Sequence, residues 1–201
     1  MSRMVRAAFQ AQETSKHILL RNLPRTSTPG DVRRALLRDG VQGVEKIEIN
    51  YSHFRPTGKA LLTMTTSKNS LSALTYFDRH GIRLAGVPVH AEAVYNTTSA
   101  LVMGSGLEGD GPTAGHESGK TVTLSGLSGK KRLKDIWDML EGFDVKQVLF
   151  SRLPPNKFSL FSRWIVKVNS ESEAHRIVRK FHMTKSHGRH DGVRVRAEIL
   201  Y

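Results

Sequence analysis

The chain has 201 residues, is 38 % hydrophobic, and sets 31 Lys and Arg against 18 Asp and Glu for a formal net charge of +13. No apolar run approaches the roughly 18 residues of a membrane-spanning helix, no signal-peptide core is read, and the lack of cysteine excludes disulfides, thiol nucleophiles and cysteine-ligated metal. The length suits one large domain or two small ones, and the basic excess favours a polyanionic partner, nucleic acid before membrane surface.

Residues 1–15 read as a basic N-terminal tail. Arg3 and Arg6 precede the first acid, Glu13, a composition similar to a short mitochondrial targeting segment. This slightly favours a mitochondrial location within the cell over nucleus or cytoplasm.

Residues 16–96 are expected to be the first domain. HILLRNL is a short apolar strand ending in a turn. Thr28-Pro29-Gly30-Asp31 carries an N-cap, a first-turn proline and an acid at the third helical position, so a helix follows with Val32, Ala35 and Leu36 inward. VEKIEINY alternates and predicts a strand with Ile47 and Ile49 inward. GKALLTM is a further strand. A second helix is expected through Leu71, Leu74 and Phe77, then a strand holding Val87 and Val89.

Residues 97–119 carry three acids, no Lys or Arg, and seven prolines or glycines between Gly104 and Gly119. Such a composition buries too little apolar surface to offset its ordering entropy and reads as a flexible acidic linker. Its GSGLEG matches a dinucleotide fingerprint, but the DGPTAGHESG that follows will not form the helix such a site needs.

Residues 120–201 are expected to be the second domain. TVTLSGL, VKQVLF, RWIVKV and VRVRAEI read as strands. One helix is expected to bury Leu133, Ile136, Trp137 and Leu140, with Trp137 and Trp164 both as core residues. A Ser170–Glu173 capping box opens another helix, with Ala174, Ile177, Val178 and Phe181 inward. An offset of 104 residues aligns Ile18, Leu20 and Leu23 with Val122, Leu124 and Leu127, and Ala60, Leu62 and Met64 with Trp164, Val166 and Val168. The fold class is therefore α+β: two ferredoxin-like β-α-β-β-α-β domains joined by a linker.

Two sequence segments in each copy carry a resemblance to the RNA recognition motif (RRM) family. Its first strand has a hexamer of the form apolar-aromatic-apolar-x-Asn-Leu, to which Ile18-Leu19-Leu20-Arg21-Asn22-Leu23 is similar. Its third strand has a Gly-containing aromatic octamer, to which residues 57–64, Thr-Gly-Lys-Ala-Leu-Leu-Thr-Met, are similar. Leu84-Ala85-Gly86-Val87-Pro88-Val89 resembles the approach to its fourth strand. In the second copy the matching stretches are residues 122–127 and 161–168. The resemblance implies single-stranded RNA held on the sheet face. The stacking aromatics of that face are replaced by Leu19, Lys59 and Leu61 in the first copy and by Thr123, Arg163 and Ile165 in the second.

Alternation then places Arg163, Ile165 and Lys167, with Arg194 and Arg196, on the solvent side of the second sheet. Leu19, Arg21, Lys59 and Leu61 form a mixed face in the first, beside Asn22. The loops between the second and third strands add Tyr51, His53, Phe54, Arg55 and Lys59, and later Arg152, Lys157, Phe158, Phe161 and Arg163; these aromatics either stack bases or pack on their own domain. His182, His187 and His190 with Asp191 are too few of the right ligands for structural zinc, so neither metal nor cofactor is expected.

No catalytic constellation is present, so an enzyme is not expected. The expected partners are single-stranded RNA and other ribonucleoprotein proteins, without a membrane, and the chain is expected to be a monomer of two tethered domains. The alternative is a protein-interaction scaffold that docks a partner through Leu19 and Leu61.

Overall fold

A computed structural model describes residues 15–52, 54–94, 115–151, 161–185 and 193–201. The chain divides into two compact units, Met1–Ala114 and Gly115–Tyr201. Among the described residues no helix is long and apolar enough to cross a membrane.

The first unit runs β1 (His17–Arg21), α1 (Pro29–Arg38), β2 (Val44–Ser52), β3 (Arg55–Met64), α2 (Ser67–His80), β4 (Ile82–Leu84) and β5 (Val87–Val94). Its sheet is antiparallel with strand order β2-β3-β1-β5-β4. The expected capping box forms: Thr28 Oγ1 accepts from Asp31 N at 3.1 Å, and Asp31 Oδ2 accepts from Thr28 N at 2.9 Å. Val32, Ala35 and Leu36 are buried as the spacing predicts. β4 is an addition to the expected strands. It pairs with β5 through the two-residue turn Ala85-Gly86, whose φ values of 50° and 81° suit a tight hairpin.

In α2 the buried stripe is Ser70, Ala73 and Phe77, and the expected Leu71 is exposed. Small residues face the sheet there, which lets the helix backbone approach it.

The second unit runs β6 (Thr121–Ser128), α3 (Leu133–Met139), β7 (Val145–Phe150), β8 (Phe161–Val168), α4 (Glu171–Phe181) and β9 (Arg196–Leu200), with strand order β7-β8-β6-β9. One core joins Val122, Leu124, Ile136, Leu140, Trp164, Val166, Ile177 and Phe181. Trp164 Nε1 donates to Ser162 Oγ at 2.9 Å, so this core indole keeps its hydrogen bond.

Three expectations are corrected here. In α3 only Ile136 is fully buried, with Leu140 at its C-cap. Leu133 is 47 % and Trp137 40 % exposed. On a 3.6-residue helix Trp137 lies about 80° from the Ile136–Leu140 axis, beyond the reach of the sheet.

At α4, Ser170 Oγ accepts from Glu173 N as expected, but the Glu173 carboxylate accepts from Asp144 N at 3.2 Å and pairs with Arg176. The last strand begins at Arg196 rather than Val193, and Arg194 makes a single bridge to Lys185.

Residues 115–119 are held on the second unit. Gly119 N donates to Leu200 O at 2.7 Å, Thr121 Oγ1 to Glu117 O at 3.0 Å, and Lys167 Nζ to Gly115 O at 3.2 Å.

Candidate nucleic-acid interface

Each sheet has one face against its helices and one face away from them. The away face of the first sheet follows from the register. Leu19 sits opposite Leu61 and Glu92, and Leu61 opposite Glu48; Arg21 sits opposite Lys59 and His90. The middle row across the sheet is therefore Glu48, Leu61, Leu19 and Glu92. Both leucines are only 4 % exposed and cluster with Val94. They are not the open docking leucines that alternation alone suggests.

The charges of this face are largely matched. Arg21 Nε donates to Glu92 Oε1 at 2.8 Å, and Lys46 Nζ lies 3.3 Å from Glu48 Oε1. Lys59 is half-buried, while Arg55 is exposed at the start of β3.

Asn22 adopts φ 64° and donates from Nδ2 to Pro88 O at 2.8 Å, so this residue of the hexamer ties the end of β1 to β5. Tyr51 and Phe54 are both buried, which settles them as packing residues of a tight β2–β3 turn. His53 lies outside the described residues.

On the second sheet, Thr123 pairs with Ile165 and Glu198, and Ser125 with Arg163 and Arg196. Ile165 is 3 % and Arg163 7 % exposed, and Thr123 is buried. The expected solvent-side set is thus closed at its centre. The alternation rule gives a side of the sheet, not its accessibility.

Lys167 is half-buried and engaged with Gly115 O. Arg194 and Arg196 are exposed, as is Lys185 beside Arg194. Arg196 Nε lies 3.7 Å from Glu198 Oε1, a long surface pair.

Arg152, Lys157, Phe158, His187, His190 and Asp191 lie outside the described residues. His182 Nδ1 is 2.8 Å from Ala197 O, so this histidine is engaged with the β9 backbone.

Segment 115–119 has its own electrostatics. Burial, then the nearby Lys167 ammonium, pulls His116 below the ordinary imidazole value. Hydrogen bonds from Lys146 and Lys120 hold Glu117 below the usual carboxylate range.

The stretches that carry the family resemblance meet in space: residues 18–23 and 57–64 lie on β1 and β3, paired at the sheet centre, and 122–127 pair with 161–168 in the same way. Both units have the ferredoxin-like β-α-β-β-α-β arrangement. No protein-family model matches the chain, and no curated protein matches it.

Solved structures similar to it include a Sxl-lethal protein–RNA complex, at 12 % identity over 92 % of this chain and 99 % of that one, TM-score 0.34. Another is the N-terminal three RNA binding domains of the yeast splicing factor Prp24, at 14 % identity over 94 % and 67 %, TM-score 0.33. A third is the C. elegans NONO-1 homodimer, at 13 % identity over 94 % and 64 %, TM-score 0.34.

Sequence reasoning missed one surface of the second unit. Leu133, Trp137 and Phe150 are exposed at the edge where α3 packs on β7, and Phe150 is 56 % exposed. A usable signal exists: Ile136 and Leu140 already complete the inward stripe of so short a helix, leaving Trp137 no core to join.

Proposed function

We propose that the chain is a non-enzymatic RNA-binding protein of two divergent RRM-like units. It holds single-stranded RNA through exposed basic side chains at the margins of its sheets, in RNA processing, translation or ribonucleoprotein assembly. The observation that carries this reading is the run Lys185, Arg194 and Arg196, exposed along one margin of the second sheet. Cations so placed neutralise phosphates without reading bases, because they face the backbone rather than a base edge.

The test is fluorescence anisotropy of a labelled oligouridylate across a salt series. The intact chain should bind with a steep salt dependence. Replacing Lys185, Arg194 and Arg196 by alanine should flatten the log–log slope by about 2, at roughly 0.7 per phosphate contact of a single strand. Binding that ignores salt, or none at all, would sink the reading.

A second reading, a protein-docking scaffold, rests on the first unit's matched surface charges, Arg21 with Glu92 and Lys46 with Glu48, and not on Leu19 and Leu61, which are buried. A face so balanced offers little to a polyanion.

A further inference from the structure

We infer that the second unit carries a stacking platform for single-stranded RNA away from its sheet face, built by Trp137 and Phe150 and flanked by Lys130, Lys131, Arg132 and Lys134. This rests on the RNA-binding reading above and assigns it a place.

The platform begins with an imbalance in α3. The segment contributes Ile136 and Leu140 to the core, while Leu133 and Trp137, one turn apart, remain outside it. A large exposed aromatic beside a second exposed apolar side chain marks a contact surface more than a packing accident.

Phe150 is the last residue of β7, the strand on which α3 packs and the edge of the sheet. Its ring meets the Trp164 ring edge-on, with centroids 5.1 Å apart and planes at 69°. Trp164 is in turn fixed by the core and by Ser162. Phe150 is thus braced on one side and open on the other. A ring held in place before its ligand arrives loses little entropy on binding.

The charge on the N-terminal side of Trp137 is mostly basic, while Asp135 lies in the first turn of α3 and Asp138 and Glu141 are exposed after Trp137. Lys130, Arg132 and Lys134 are exposed, and neither they nor Lys131 has a side-chain ion pair among the described residues. Asp135 accepts from Arg132 N at 2.8 Å, and exposed Asp138 makes no ion pair with these cations among the described residues. Four cations that lead into and begin α3, with an exposed ring on α3 and another on the strand it packs against, meet both needs of an unpaired strand: phosphate neutralisation and a face for its bases.

An acidic amphipathic peptide would share the cations, but it needs an aliphatic groove, and Leu133 is the one exposed aliphatic side chain in this set. At the centre of the sheet face Thr123, Arg163 and Ile165 are buried and offer no open ring.

The chain has two tryptophans; both emit, but Trp164 is in the core, so the emission open to contact quenching by a bound base is that of Trp137. Titrating the intact chain with an unlabelled oligouridylate should quench this emission, and the quench should vanish in Trp137→Phe. Trp137→Ala should weaken binding about tenfold, the loss of one stacked base. The triple variant Lys130→Glu, Lys131→Glu, Lys134→Glu should weaken it at least as much, with an unchanged thermal melt confirming the fold.

RNA binding without a quench, and unaffected by the triple variant, overturns the platform and leaves the RNA-binding reading standing. Failure of the intact chain to bind RNA overturns both. A Glu- and Leu-rich peptide that quenches Trp137 and is not displaced by oligouridylate also overturns the platform, making the surface a protein dock.

Discussion

Asn22 and Gly126, 104 residues apart, both take positive φ, 64° just after β1 and 85° at an irregularity within β6. Asparagine tolerates this region through its short polar side chain, and here that side chain also donates to Pro88 O. Gly126 sits at the register shift between Ser125 and Leu127, where a Cβ would come within 2.6 Å of Arg194 O. Gly126→Ala should therefore destabilise the second unit by more than the ~1–2 kcal/mol of left-handed strain alone, because backbone must also move. Urea denaturation read by far-UV circular dichroism checks this; a wild-type midpoint would contradict it.

Arg21 is committed to Glu92 across the β1–β5 ladder. An exposed pair of this kind stabilises by about 0.2–1 kcal/mol, so removing the acid costs the fold little. Glu92→Gln should release one cation and steepen the salt dependence of RNA binding by about 0.7. An unchanged slope would mean that RNA does not approach this side of the first unit.

The Trp164 indole depends on Ser162, whose hydroxyl lies within 3.2 Å of Leu127 O and Ser128 O. Ser162→Ala leaves a buried N–H without its partner and should cost about 1–3 kcal/mol. Trp164→Ala should cost about 3–5 kcal/mol through the cavity it opens. Equilibrium urea unfolding distinguishes the two; equal midpoints would refute the assigned roles.

The capping box of α1 makes stability depend on pH. The Thr28 backbone N–H, more than any other group, holds Asp31 below the usual carboxylate value. A folded-state value below the unfolded one means that the unfolded chain takes up the proton more readily. The contribution is therefore present above about pH 4 and is lost as pH falls through the lower folded value. Thermal melts from neutral to acid pH should show a smaller acid loss in Asp31→Asn. Thr28→Ala should lower stability by about 1 kcal/mol at neutral pH.

His116 works in the same direction at higher pH. Its burial and the neighbouring Lys167 favour the neutral ring. The segment should be most secure above the ordinary value of 6.5 and weaken as pH falls below it. Hydrogen exchange at residues 115–121 should accelerate beyond its intrinsic pH trend on acidification, and His116→Gln should abolish the excess.

The fold was legible in the sequence because its signals are local and repeated. The Thr28 and Ser170 caps, the alternation of Ile47 and Ile49, and the strands of both hexamers and octamers each fix their own neighbourhood. The candidate site was less legible, because accessibility is a property of what lies above a side chain. Alternation correctly puts Leu19, Leu61, Arg163 and Ile165 on the sides of their sheets away from the helices, yet says nothing of their burial. Trp137 failed for the opposite reason: a helical stripe of four apolar residues was wider than the contact it serves. Leu71 shows the same limit, since Ser70 and Ala73 take the close approach that a larger side chain would prevent.

The hydrogen bond from Gly119 N to Leu200 O places the beginning and end of the second unit side by side. The unit is consequently a cassette whose two ends adjoin. Joining them with a short connector and opening the chain between Gly129 and Lys130, in the β6–α3 turn, should preserve the fold while reversing which elements are translated first. By the same geometry the unit can be spliced into a surface loop of an unrelated protein without that loop having to span its width.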